Sequence, residues 1–340
     1  MKALSYLGPE QIIMIEKEIP IPKKGEVLVR VKACGICGSD VHGYLGITGR
    51  RIPPVTMGHE FAGEVAALGE EAGKFAVGDR VAVQPINFCG ECDFCQKGQT
   101  NLCRNKLFFG VLEENGAMAE YVAVPARLLY PIPDNCSYAI AALAEPLAVA
   151  YGSLTKTGSL AGKHVMIIGA GTIGMSVLAL VRLQNPATIT VSDLSDKRLD
   201  VALQMGATHT INPSKEDYLQ KASEITGGTM MDVSIEAVGV QATANQSIKC
   251  LIPGGESIWL GMSEKEMTIN MQDIVTAARS VLGSFNYTHE EFGEVVALVG
   301  EGKLDLSRLI TAEIPIEEAP AMFAKLAKHA DDFLKVVIVF

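Results

Sequence analysis

Two groups of residues in this 340-residue chain have the types and spacing of metal ligands. The first is "CGECDFCQKGQTNLC", in which Cys89, Cys92, Cys95 and Cys103 fall within fifteen positions. Four thiolates so close in sequence can surround one tetrahedral ion without long-range folding, and Gly90 and Gly98 permit the tight turns. A zinc held by four thiolates keeps no position open to water or substrate, so its role is structural. An iron–sulfur cluster would use the same donors, but the sequence shows no electron-transfer partner for one. The second group is spread over "CGICGSDVHGY" (34–44) and "MGHEFAG" (57–63). Cys37, His59 and a carboxylate make a three-ligand set with one open position, the arrangement of a catalytic zinc. The carboxylate is Glu60, beside the histidine, or Glu145, set in the apolar "LAEPLAVA". A glutamate buried without a partner should be protonated, and a nearby cation removes that difficulty.

A third stretch, "VMIIGAGTIGMSVLALV", carries a glycine turn between an apolar strand and a helix. Gly169, Gly171 and Gly174, with Thr172 and Ile173 between them, have the G-x-G-x-x-G spacing that lets backbone approach a pyrophosphate at a helix N-terminus. Asp193 ends the next strand, "TITVSD", nineteen positions after Gly174. A carboxylate there binds a ribose hydroxyl pair and repels a 2′-phosphate, so NAD is expected over NADP. Arg198, five residues on, is a further cofactor candidate that would cover the adenine or attract a 2′-phosphate, with a surface position the alternative beside Asp193.

The elements that must position these groups change character along the chain. To about residue 150, short β-type runs such as "GEVLVRVKA", "FAGEVAAL" and "GDRVAVQP" are punctuated by turn residues. From about 160, strands alternate with helices, the pattern of a doubly wound parallel sheet. The closing "FLKVVIVF" is too apolar for a loose tail and is expected to return to the first domain. The fold class is therefore α/β with two domains, in keeping with the length. A hydrophobic content of 48% with 20% charged residues supports a large core. The net charge of −10 argues against a nucleic-acid surface or an anionic membrane partner. The start "MKALSYLGPE" lacks a signal-peptide core, and no apolar run is long enough to span a bilayer, so a cytoplasmic location is expected. Clustered cysteines in such a chain read as metal ligands before disulfides.

Taken together, "CGICGSDVH", "GHEFAGEVAALGEEA", the four-cysteine lobe, "EPLAVA" and "GAGTIG" with Asp193 resemble the zinc-containing medium-chain alcohol dehydrogenases. The likeness is greatest to the sorbitol and polyol dehydrogenase branch, and it runs the whole length. It implies a GroES-like catalytic domain (1–148 and 287–340, with a structural zinc lobe at about 85–110) around a Rossmann domain (149–286). It also implies two zincs per chain, NAD, and a homodimer or homotetramer. Classical alcohol dehydrogenases place a cysteine where this chain has Glu145; in polyol-type relatives both glutamates approach the metal. By the same resemblance Ser39 receives the substrate proton and His42 passes it to water, while Asp40 orients His59. Cys34, Cys136 and Cys250 match no ligand position.

The implied reaction transfers a hydride between a secondary alcohol and NAD. Arg50 and Arg51, on the loop before His59, have the chemistry of phosphate ligands, which points to polyol phosphates such as galactitol 1-phosphate. Sorbitol-like polyols, 2,3-butanediol and threonine share the same metal motifs. A zinc-independent quinone or enone reductase would share the fold but lack Cys37, His59 and the cysteine lobe.

Overall fold

The computed structural model describes residues 1–112, 116–328 and 333–340. The chain divides into two compact units, one formed by Met1–Glu145 with Thr288–Phe340 and the other by Pro146–Tyr287.

The first unit is built on the long strand Glu26–Ile36. Along it Val27, Val29, Val31 and Ala33 are buried while Arg30 stays exposed, and Leu28, Cys34 and Ile36 on the alternate positions are buried as well, so much of the strand is covered on both faces. Glu60–Leu68 and Lys335–Val339 pair with this strand antiparallel, the former extended by Arg80–Val83 and Leu129–Pro131. Tyr121–Pro125 also pairs with it, and Ile310–Pro315 closes the far edge beside Lys335–Val339. The apolar end of the chain thus joins the first unit's sheet, because Val336, Val337 and Ile338 are buried there. Phe61, Val65, Val83, Met118, Leu128 and Phe323 complete the core on which this sheet rests.

The second unit is a six-stranded, all-parallel sheet. Its central strand, His164–Ile168, has Thr188–Ser192 and then His209–Ile211 on one side. On the other side lie Met231–Glu236, Leu251–Trp259 and Ser280–Gly283. The chain order reverses beside the central strand, and ligands of such sheets bind at the carboxyl ends of the strands at that switch. Helices Thr172–Val181, Asp196–Gln204, Tyr218–Ile225 and Gln241–Lys249 link the strands. Ser195 and Asp217 cap two of them, each accepting the backbone N–H of the third residue onward. The architecture is a GroES-like unit and a Rossmann-type unit.

The glycine turn sets how closely the first helix approaches the sheet. Gly169 has φ +98°, and Gly171 is the N-cap of Thr172–Val181. A Cβ on Gly174 would lie 1.7 Å from the Gly169 carbonyl oxygen, whereas one on Gly171 would meet open space. Gly174 therefore serves helix–strand packing, and Gly171 leaves the turn accessible from outside. Replacing Gly174 by Ala forces helix and strand apart and should destabilise the second unit by about 1–3 kcal/mol. Denaturant unfolding checks this; a variant as stable as the parent contradicts it.

Candidate metal and dinucleotide sites

The four cysteines occupy an excursion between Ile86–Asn87 and Leu107–Phe108, two short strands that pair with each other. Gly90 and Gly98, at φ +78° and +77°, turn the backbone inside it. All four sulfur atoms lie within 4.8 Å of one another. The closest separations are 3.5 Å for Cys92–Cys95 and Cys89–Cys103, and 3.9 Å for Cys89–Cys95. A tetrahedron with zinc–sulfur bonds of about 2.3 Å has edges of about 3.8 Å, so the set fits that ion. Backbone N–H groups of Arg104 and Cys95 hold the Cys92 thiol down to about 6, which favours the thiolate a metal needs. Among the described residues, these four and the trio Cys37, His59 and Glu60 are the groups that could hold a metal.

That trio comes from two elements. Cys37 is the N-cap of the short helix Gly38–Tyr44, its N–H donating to Asp40 Oδ2 at 3.0 Å. Glu60 begins the strand Glu60–Leu68, with His59 just before it. One ligand atom from each residue lies within 4.8 Å of the others. Phe108 packs edge-on against the His59 ring, with centroids 5.3 Å apart. Asp40 Oδ1 lies 3.5 Å from His59 Nδ1, which has no hydrogen-bond partner among the described residues. Asp40 thus faces one ring nitrogen and leaves the other for a ligand.

Two cations that the sequence did not assign to this place are buried here. Arg51 donates to the Ser39 carbonyl at 2.7 Å, to Ser39 Oγ at 3.2 Å and to Asp40 Oδ1 at 2.6 Å. It lies against Gly43, where a Cβ would come within 2.5 Å of its side chain. Arg51 is therefore not the open loop residue expected of a phosphate ligand, because burial and Asp40 already engage its guanidinium. Arg50 is exposed. Lys335 donates to both oxygens of Glu60 at 2.7 Å and to the Ile36 carbonyl at 3.1 Å. Burial would lower its pKa, but the Glu60 and Cys37 charges override that and raise it. Glu145, buried in the first turn of Ala144–Leu154, acts on the same ammonium electrostatically.

Around Cys37 and His59, Asp40 is paired with Arg51 and Glu60 with Lys335, and the thiol, imidazole and carboxylate donors fit zinc in their chemistry. Ser39 and His42 lie on the same helix as Asp40, and both are exposed. Cys34 is buried, with its thiol pushed well up by burial, and is within van der Waals reach of Gly58. Burial likewise lifts Cys250, to about 11.

In the second unit Asp193 directly follows Thr188–Ser192, and its carboxylate accepts from the N–H groups of Ala170 at 2.7 Å and Ser195 at 2.9 Å. It thereby ties the strand end to the turn holding Gly169, Gly171 and Gly174. Thr172 and Ile173 begin the helix behind that turn, and Arg198 is half-buried on Asp196–Gln204. No helix among the described residues is long and apolar enough to cross a membrane.

Known proteins share this architecture. Residues 23–134 match the alcohol dehydrogenase GroES-like domain family, and residues 172–301 the zinc-binding dehydrogenase family. Sorbitol dehydrogenase of Bacillus subtilis (strain 168) is 32% identical over 342 residues, covering 99% of this chain and 97% of that protein. A protein classed as a zinc-binding dehydrogenase of Sinorhizobium meliloti 1021, solved with NADP bound, has 34% identity and a TM-score of 0.93, covering 100% and 99% of the two chains. Galactitol-1-phosphate dehydrogenase of Escherichia coli has 27% identity and a TM-score of 0.94, covering both chains fully.

The Arg51–Asp40 pair carries a prediction with a definite pH dependence. Burial alone would raise Asp40, but His59 and Arg51 hold its carboxyl well below the usual range. A depressed folded-state pKa gives stability that is present above about pH 4, the unfolded value, and is lost as pH falls through the folded one. Arg51→Met leaves that carboxylate buried without its nearest cationic partner, at 2.6 Å, which should cost about 3–5 kcal/mol at pH 7. The deficit should shrink below about pH 4, where the variant's Asp40 is protonated. Urea unfolding at both pH values reads it; equal stability at pH 7 contradicts it.

Proposed function

The chain belongs to the zinc-binding, GroES-like alcohol dehydrogenase family, and from that premise we propose that it moves a hydride between the secondary alcohol of a polyol and NAD. The observation that carries this is the convergence of ligand atoms of Cys37, His59 and Glu60 within 4.8 Å of one another. In this reading Cys37, His59 and one carboxylate, Glu60 or Glu145, hold a catalytic zinc, and Cys89, Cys92, Cys95 and Cys103 a structural one. The catalytic ion supplies Lewis-acid polarisation, which lowers the pKa of a substrate hydroxyl toward neutrality.

The remaining work falls to side chains of this protein. Asp40 orients the His59 ring, and Arg51 keeps Asp40 ionised. Ser39 takes the hydroxyl proton, and His42, exposed one helical turn on, hands it to water. The open side of Gly171 admits a pyrophosphate to the helix N-terminus. Asp193, fixed against Ala170, presents its carboxylate where an adenosine ribose binds, which favours NAD over NADP.

The substrate reading follows from the two arginines. Because Arg51 is committed to Asp40, only Arg50 stays open to a phosphate, and a single exposed arginine is a weak site for a dianion. An unphosphorylated polyol is therefore the favoured substrate. Eight free thiols suit the reducing cytoplasm, and we place the active form there as a homodimer or homotetramer.

A coupled assay of free polyols, galactitol 1-phosphate, 2,3-butanediol and threonine tests this reading. Free polyol with NAD should give the highest kcat/KM, and a preference for the phosphorylated compound rejects the substrate assignment. Asp193→Ser should shift the NAD-to-NADP preference by about tenfold or more toward NADP. An unchanged cofactor ratio removes Asp193 from the dinucleotide site.

A further inference from the structure

A buried acidic side chain in the second unit has no part in the reaction described above. Glu236 is the last residue of Met231–Glu236, and it stands opposite Ile168, the residue before the glycine turn. It is 1% exposed. Its Oε1 accepts from the N–H groups of Val238 at 2.9 Å and Gly239 at 2.8 Å. Burying a carboxyl group is costly unless its hydrogen bonds are met, and here a loop meets them.

That loop, residues 237–240, interlocks with residues 260–264, which follow the next strand, Leu251–Trp259. Leu260 N–H donates to the Glu236 carbonyl at 2.8 Å, and Glu264 N–H to the Gly239 carbonyl at 2.8 Å. Ser263 Oγ donates to the Val238 carbonyl at 2.6 Å. The two backbones touch where both lack side chains. A Cβ on Gly239 would lie 2.2 Å from Met262 N, and one on Gly261 would lie 2.0 Å from Gly239 N and 2.5 Å from Glu236 Oε2. Val238 in turn leans on the glycine turn, since a Cβ on Gly169 would come within 2.6 Å of its Cγ2. The interlocked pair therefore adjoins the turn on one side of His164–Ile168, while Asp193 follows the strand on the other side.

We propose that Glu236 is a positioning residue for the dinucleotide, clamping residues 237–240 and 260–264 into one ledge that receives the nicotinamide nucleoside. The inference rests on the dinucleotide reading of the glycine turn and Asp193. Under that reading the adenosine ribose lies at Asp193 and the pyrophosphate at Gly171, so the second nucleoside continues across the central strand toward the ledge. Asp193, held by Ala170 and Ser195, serves the adenosine half. Loss of the Glu236 clamp should therefore weaken one half of the cofactor's binding and spare the other. A role in stability alone would not divide the ligand in this way.

Equilibrium binding gives a readout other than turnover. The zinc-loaded protein is titrated with NADH by its fluorescence, and ADP, which lacks the nicotinamide nucleoside, is titrated in competition. Glu236→Ala should weaken NADH about tenfold and leave ADP within about twofold of the parent. Glu236→Gln keeps an acceptor oxygen for Val238 and Gly239, and should bring NADH back to within about threefold of the parent. Ser263→Ala removes only the hydroxyl bond to Val238, so it should weaken NADH about threefold and again spare ADP. If Glu236→Ala does not fold, Ser263→Ala decides alone. Equal weakening of NADH and ADP in the deciding variant overturns the proposal, and so does an unchanged NADH affinity. Failure of the dinucleotide reading itself looks different, since the unmutated protein would then bind neither NADH nor ADP, which removes the proposal with it.

Discussion

The constraint on which the first unit depends is electrostatic. Buried Asp40, His59 and Glu60 gather beside the half-buried Cys37, and buried Arg51 and Lys335 accompany them. Burying unpaired charge is costly. Arg51 neutralises Asp40 and Lys335 neutralises Glu60. The same pairs hold the geometry in place. Asp40 faces His59 because Arg51 and the Cys37 N–H fix its two oxygens. Removing any one member leaves another charge stranded, so the set behaves as a unit.

Sheet order decides which residues can form that unit. Lys335 and Glu60 are separated by 275 positions in sequence. They meet because the final strand is laid beside Glu26–Ile36, and because glycine occupies the one position over which the two side chains must touch. In the second unit glycine plays a comparable part at Gly174, where contact with the Gly169 carbonyl sets how close helix and strand can come. In both places a side chain that is absent determines where charged or backbone groups can gather.

Much of this was legible from residues close together in sequence. The four cysteines, the Gly169–Gly174 turn with Asp193, and the Cys37 and His59 motifs each carry their spacing within one or two local segments. Alternation in "VLVRVKA" and the strand–helix rhythm after residue 160 indicated the two architectures. What escaped were roles fixed by tertiary contacts. Arg51 reads in sequence as one of two loop arginines, and only its burial against Gly43 and Asp40 gives it a structural task. Lys335 sits in an apolar strand with no local partner, although a lysine flanked by "FL" and "VVIVF" was itself a sign of a buried counterion. Spacing likewise could not separate Glu60 from Glu145, because it is the fold that brings Glu60 within 4.8 Å of the Cys37 and His59 donor atoms.

The central claim is that a divalent ion belongs beside Cys37 and His59, apart from the one among the four cysteines. Anomalous diffraction at the zinc edge, from crystals of protein prepared without chelators, tests it most directly. The account predicts two peaks per chain, one enclosed by Cys89, Cys92, Cys95 and Cys103 and one within bonding distance of the Cys37 sulfur and a His59 ring nitrogen. A single peak at the four cysteines, from zinc-saturated crystals, would contradict it.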